Sequence, residues 1–238
     1  TKLTDTIIVC SYNPKTAEVS MISIPRDTFI GTDIANAKSA DKINVLYSRN
    51  KEKLLKSVSN IVGFEVNYYV VLNNEAVVKI VDKIGGVVFD VPIDMDYDDP
   101  TQDLHIHLKN GKQRIYGEEA EQLLRFRHNN DGTSYPASYG DNDYGRMKTQ
   151  RDFIEATIKQ SIRLRNIILC KSIYNTILEN IETNYDIKEL KKYIPTVAEF
   201  SFDNIKNYQL PGQSELHNEI WFFIYNKQKT KELLKEII

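Results

Sequence analysis

The sequence is poor in cysteine, has a single tryptophan and lacks the signatures of the common nucleotide and hydrolase sites. Two cysteines in 238 residues cannot build a disulfide framework. Cys10 and Cys170 both end apolar runs, Ile7-Ile8-Val9 and Ile167-Ile168-Leu169, which favours buried free thiols and leaves a bond between them open. No apolar run is long enough to cross a bilayer, and no signal peptide is present. The chain opens at Thr1-Lys2-Leu3 without a methionine and reads as a piece of a longer protein. A net charge of −2 without a basic stripe argues against nucleic acid as the partner, and no helix-turn-helix stands out. There is no P-loop, no Gly-x-Gly-x-x-Gly and no Gly-x-Ser-x-Gly. These absences remove the usual ATPases, dinucleotide enzymes and serine hydrolases.

What is present is a mixture of strands and helices without a compositional boundary, which predicts one α/β domain over 1–238. Asp5–Ser11 and Glu18–Pro25 read as a hairpin of well-buried strands around a turn at Asn13-Pro14-Lys15-Thr16. Helical periodicity covers Arg49–Val62 and Asn74–Ile84, stopped by Gly63 and by Gly85-Gly86. Further helices are expected over Glu118–Phe126, Arg146–Ile168, Ile173–Ile181, Ile187–Phe200 and Lys227–Ile238. Strands are expected at Val66–Leu72, Val87–Val91, Leu104–Leu108, Ile205–Leu210 and Ile220–Tyr225, with a hairpin-type turn at Asn110-Gly111. Asn129–Asn142 reads as a long polar loop.

Charge is concentrated at a few points. Arg125 and Arg127 close the Glu118–Phe126 segment, and Arg146 and Arg151 open the next one. Planar guanidinium forks match phosphate oxygens two at a time, and a helix N-terminus adds donors for an anion. The pattern therefore suggests a phosphate clamp at a helix–loop–helix junction, although surface arginines paired with nearby acids would look the same. Arg26 follows a strand end in Ser23-Ile24-Pro25-Arg26-Asp27-Thr28, where α/β proteins place sites. Asp5 precedes the first strand and could offset the arginines, hold Mg²⁺ or simply begin a turn. His105 and His107 share one strand face, but with no cysteine or third histidine near them, solvent-facing alternation explains them better than a metal. The acidic run Asp94, Asp96, Asp98 and Asp99 lacks the glycine and glutamate of a calcium loop and reads as a solvated turn.

In order, these segments resemble the LytR–CpsA–Psr family. The resemblance lies in Asp5-Thr6-Ile7-Ile8-Val9, Ser23 to Thr28, Lys42-Ile43-Asn44, Gly85-Gly86-Val87 with Val91-Pro92, and Leu104 to Leu108 with Gly111, Gly117 and Ala120. It continues in Arg125-Phe126-Arg127 and Asp143-Tyr144-Gly145-Arg146, and is clearest over 5–211. The resemblance implies a central mixed β-sheet between helices on both faces, with an apolar tunnel for a lipid. It implies a phosphotransferase that moves a glycopolymer, of teichoic acid or capsular type, from an undecaprenyl-pyrophosphate carrier to peptidoglycan with Mg²⁺. It places the domain on the extracytoplasmic face of the cell membrane, anchored by an N-terminal helix upstream of this chain. Asp5, Arg26 and Arg127 become the expected catalytic residues. Arg26, Arg125, Arg127, Arg146 and Gln150 become the expected pyrophosphate ligands, and Asp5 the metal ligand. Two other readings are a polyprenyl-phosphate-binding module without turnover and the transcriptional attenuator of older family descriptions. Three departures stand out. Leu3 replaces the family's arginine before Ser-Asp-Thr, the preceding strand with a further aspartate is absent, and the stretch from His128 to Asp143 is longer than usual. That last stretch is expected to cover the clamp or to reshape the acceptor side.

Overall fold

A computed structural model describes residues 3–237 apart from 14, 17, 141, 164–166, 187, 188 and 190–203; for 162–171, 174 and 236 the side chains are left aside as well. Its elements run β1 (Ile7–Asn13), β2 (Glu18–Ile24), α1 (Leu46–Arg49), α2 (Lys51–Val62), β3 (Val70–Leu72), α3 (Asn74–Lys83), β4 (Val87–Val91), β5 (Met95–Asp99), β6 (Leu104–Leu108) and β7 (Gly111–Ile115). They continue as α4 (Gly117–Arg125), α5 (Asn142–Arg163), α6 (Ile167–Asn180), β8 (Ile181–Thr183), β9 (Ile205–Gln209), β10 (Gly212–His217), β11 (Ile220–Tyr225) and α7 (Lys227–Ile237). The chain forms two compact units, Thr1–Tyr69 with Lys192–Ile238, and Val70–Lys191.

In the first unit β2 is the middle strand of a three-stranded sheet, antiparallel to β1 and parallel to β9. The sheet is mixed, as expected. Because β2 has a partner on each side, Ser20 to Ile24 are all buried, whereas β1 at the edge alternates and is half exposed. Only one strand of the hairpin is therefore well buried. The same alternation bears on Cys10: Val9 is buried, whereas the free Cys10 thiol reaches solvent at the strand's edge, although the protein packed around it still raises its pKa. The Cys170 side chain lies outside the described residues. The helix expected over Arg49–Val62 is α2, begun by Asn50, whose side chain accepts from the Lys53 amide, and ended by Gly63 at φ 71°. Strand β10 carries too few apolar residues to be read in sequence. It pairs with the apolar β11 in a hairpin.

The second unit is held by a core of Val81, Val87, Val91, Ile106, Ile115, Leu123, Phe126 and Phe153, each 1% exposed or less. Here three expectations change. Asn110-Gly111 does not join two partners, because β6 pairs with β5 and β7 pairs with β4. Asn110 instead ties the chain back, its amide donating to Asp94 Oδ1 at 2.7 Å and its side chain to the Val91 carbonyl at 3.1 Å. The acidic stretch is not simply a turn. Met95–Asp99 is a strand in which Met95 is buried and Tyr97 packs against the core, while Asp96 and Asp98 face outward. Two inward side chains and a partner strand outweigh the poor strand propensity of aspartate. The strand expected from Val66 shrinks to β3, paired with β8, and the helix expected over Ile187–Phe200 lies almost wholly outside the described residues.

Candidate functional site

In the first unit a tight turn carries the expected residues. The Thr28 amide donates to the Pro25 carbonyl at 3.0 Å, so Arg26 and Asp27 are the two central residues of a β-turn at the end of β2. The antiparallel register that pairs Ile7 with Ile24 sets Asp5 opposite Arg26. Their side chains form an ion pair between Asp5 Oδ1 and Arg26 Nη1, with Asp5 largely exposed. The turn is held from both sides. Phe223 donates to the Asp27 carbonyl at 2.9 Å and accepts from Phe29 at 3.0 Å, while Ile43 donates to the Thr28 carbonyl at 2.9 Å and Asn44 to the Arg26 carbonyl at 3.2 Å. Lys42 Nζ meets Asp27 Oδ1 at 2.9 Å, and Arg26 Nε lies 3.8 Å from the same carboxylate. Asp27, Lys42 and Asn44 thus belong to this turn, although only Asp5 and Arg26 were expected as site residues here. Asn44 Oδ1 is buried without a hydrogen-bond partner among the described residues.

In the second unit the remaining residues gather where α4 ends and α5 begins. Arg125 closes α4, where a cation meets the negative end of the helix, and pairs with Glu121 at 3.1 Å. Phe126 is fully buried, which turns Arg127 outward, and Arg127 is exposed. Gln150 is 4% exposed, and its side-chain amide donates to the Leu124 carbonyl at 2.8 Å, tying α5 to the end of α4. Arg146 is 2% exposed and pairs with Asp143 one turn earlier. The alternative reading, that these are surface arginines paired with nearby acids, therefore fails for Arg146 and Arg151. Arg151 is also buried, and burial lowers its pKa from the usual arginine value.

The long loop explains that burial. Tyr135 inserts into the core at 3% exposure, edge-on to Phe126 and stacked on Tyr139. Tyr139 in turn reaches Thr149 at 3.0 Å and lies under the Lys148 ammonium. Burial pushes the Tyr135 and Tyr139 hydroxyls above the usual tyrosine pKa. Gly145 permits the contact: a Cβ there would lie 2.4 Å from the Gly140 carbonyl and from the Tyr135 ring. The other end of the loop is fixed by Asn129 and Asn130, which bond the backbone of β5. The loop packs over the start of α5 and leaves Arg127 open to solvent.

The fold is shared with a class of solved bacterial proteins. A Bacillus subtilis TagV crystal structure matches it with a TM-score of 0.78 at 26% identity, covering 98% of this chain and 89% of that one. A Streptococcus agalactiae protein matches with a TM-score of 0.80 at 25% identity over all of this chain and 79% of the other. The model of the LytR_cpsA_psr family matches residues 1–238, and the chain belongs to that family. Among its relatives are Biofilm regulatory protein A of Streptococcus mutans and the polyisoprenyl-teichoic acid–peptidoglycan teichoic acid transferase TagV of Bacillus subtilis, each 28% identical. The alignments cover 97% and 98% of this chain but only 56% and 59% of those relatives.

Proposed function

We propose that the protein is a phosphotransferase that moves a glycopolymer from a polyprenyl-pyrophosphate carrier to peptidoglycan. The observation that carries this reading is the Arg26 turn: a guanidinium and a carboxylate fixed opposite each other by strand register, in a family whose relatives include named teichoic acid transferases. Breaking a pyrophosphate asks the protein for positioning and charge stabilisation more than for covalent catalysis. Arg26, Arg125, Arg127 and Arg146, with Gln150, are assigned to the two phosphates. An acceptor hydroxyl oxygen on the muramic acid attacks the phosphorus that bears the glycan. The bond from that phosphorus to the bridging oxygen breaks, and the polyprenyl phosphate leaves with the electron pair, its charge met by the arginines. Asp5 is assigned to help activate the acceptor hydroxyl.

Asp5 is also the assigned Mg²⁺ ligand. An accessible carboxylate is a hard oxygen donor, so its chemistry suits the ion. When bound, Mg²⁺ would supply further neutralisation of the phosphate oxygens. The prenyl chain is assigned to an apolar tunnel, and the protein to the outer face of the membrane through an upstream anchor. Among the described residues no helix is long and apolar enough to cross a membrane.

A second reading, binding of a polyprenyl phosphate without turnover, is favoured by the exposed Leu3 standing where the family carries an arginine. Transfer of a labelled glycan from its pyrophosphate lipid to a peptidoglycan acceptor separates the two. Turnover is expected, and Arg26→Ala or Arg127→Ala should each lower the rate by roughly a hundredfold, the typical cost of removing one transition-state donor. Lipid binding with no transfer by the unaltered protein would select the second reading.

A further inference from the structure

The outward face of the β5–β6 hairpin has no part in the proposed transfer. Its register sets Asp98 directly opposite His105 and Asp96 directly opposite His107. One ligand atom each from Asp98, His105 and His107 lie within 4.8 Å of one another. From this arrangement we propose that Asp98, His105 and His107 bind one divalent transition-metal ion, with Zn²⁺ as the probe ion, and that Asp96 orients His107 from outside the coordination shell.

Four features support the assignment. First, the two ring nitrogens of His107 are differentiated: Nδ1 is bonded to Asp96 Oδ1 at 2.9 Å, while Nε2 faces Asp98 Oδ1 at 3.4 Å. A histidine that donates one N–H to a carboxylate and offers its other nitrogen is the usual arrangement around a bound metal. Second, the 3.4 Å separation suits two donors of one tetrahedral ion, since bonds of about 2.0–2.1 Å place ligands about 3.3 Å apart. Third, His105 Nδ1 is hydrogen-bonded to the same Asp98 oxygen, so an ion can take the place of the shared proton, which is released to solvent as the contact opens slightly. Its Nε2 faces Asp103 Oδ1 at 3.7 Å. Fourth, the backbone under the cluster is fixed. Met95, Ile106 and Leu108 on the opposite face are buried. Along the open edge of β5, Asn130 accepts from the Asp98 amide at 2.6 Å and donates to its carbonyl at 3.0 Å, and Asn129 accepts from the Asp96 amide at 2.7 Å.

Two imidazoles with one carboxylate suit zinc and its neighbours rather than Mg²⁺, which takes oxygen ligands. The three ligands are about half exposed, leaving a coordination position for water or an outside ligand. The site is independent of the transferase reading.

The test is calorimetric titration of ZnCl₂ into the chelator-stripped full chain, with excess MgCl₂ present. One ion per chain is expected. Asp96→Asn should weaken binding by roughly tenfold, and His105→Ala or His107→Ala by more. All of these side chains are exposed, so the variants should keep the parent's circular dichroism. Histidine-selective NMR of the unaltered protein should show the Zn²⁺-dependent shifts on His105 and His107, with His128 and His217 unmoved. No uptake by the unaltered protein, or equal uptake by a His105→Ala/His107→Ala double variant, overturns the proposal and leaves the four residues as cross-strand ion pairs.

Discussion

The two places that carry the candidate arginines are built on opposite principles. At the Arg26 turn the geometry comes from backbone: strand register sets Asp5 against Arg26, and hydrogen bonds from Phe223 and Asn44 hold the turn. Asp5 and Asp27 stay accessible to water. At the α4–α5 junction the geometry comes from burial: Tyr135 and Phe126 fill the core beside Gly145, and Arg146 is covered. A turn held by its backbone can lose a side chain and keep its shape. A junction held by interdigitated side chains cannot. Function and stability should therefore separate at the first place and be entangled at the second.

The largest expected effect that breaks this contrast is at Gly145. A methyl group there would meet the Gly140 carbonyl and the Tyr135 ring, and neither can withdraw cheaply. Gly145→Ala should cost about 3 kcal/mol by overpacking, which at about 2–4 °C per kcal/mol lowers the melting temperature by about 6–12 °C. Asp27→Ala in the turn should stay within about 1 kcal/mol of the parent, since a partly exposed ion pair contributes little. Thermal unfolding followed by circular dichroism decides it. Equal melting temperatures for the two variants would mean that the junction is not tightly packed.

A smaller effect sharpens the contrast between arginines. Arg146→Ala removes a side chain that is 3% exposed and should lower stability by about 2 kcal/mol. Arg127→Ala removes an exposed one and should change it by less than about 0.5 kcal/mol. Denaturant midpoints of the two variants make the comparison. If they agree, a loss of lipid binding in Arg146→Ala can be read as lost phosphate contact. If they differ as expected, only the Arg127 variant can be read that way.

Legibility in the sequence follows the same division. The turn could be read because its causes are local: Pro25 ends the strand, and a short hairpin fixes which residue faces Arg26. The roles of Lys42 and Asn44 were visible only as a family resemblance, because they arrive from fifteen or more residues away through backbone bonds that composition does not encode. The burial of Arg146 was not legible at all. It depends on a polar loop folding its one buried tyrosine inward, and polarity alone pointed to solvent. The acidic strand β5 was missed for a related reason. Its charges pointed to a turn, while its structure is decided by Met95, Tyr97 and two asparagines more than thirty residues along the chain.

The smallest expected effect separates the two places by pH. Burial holds the Tyr135 hydroxyl protonated in the folded chain, with its pKa raised above the ordinary 10.0 that the unfolded chain retains. For a raised acid of this kind the contribution is complete below the unfolded value. It is lost as pH rises from there through the folded value, because the unfolded state releases its proton first and is favoured. Tyr135→Phe keeps the ring that fills the core and removes the titrating group. Near neutral pH the variant should match or exceed the parent, because the buried Tyr135 hydroxyl has no hydrogen-bond partner among the described residues and such a group costs about 1–3 kcal/mol. Above about pH 10 the parent should lose stability faster than the variant. Tyr139 and Tyr144 are shifted in the same direction, so the variant should reduce the alkaline decline without abolishing it. Melting temperatures measured across the alkaline range give the two slopes. Parallel slopes would show that the Tyr135 hydroxyl is hydrated in the folded chain, and the sealed junction that distinguishes this place from the Arg26 turn would fall with them.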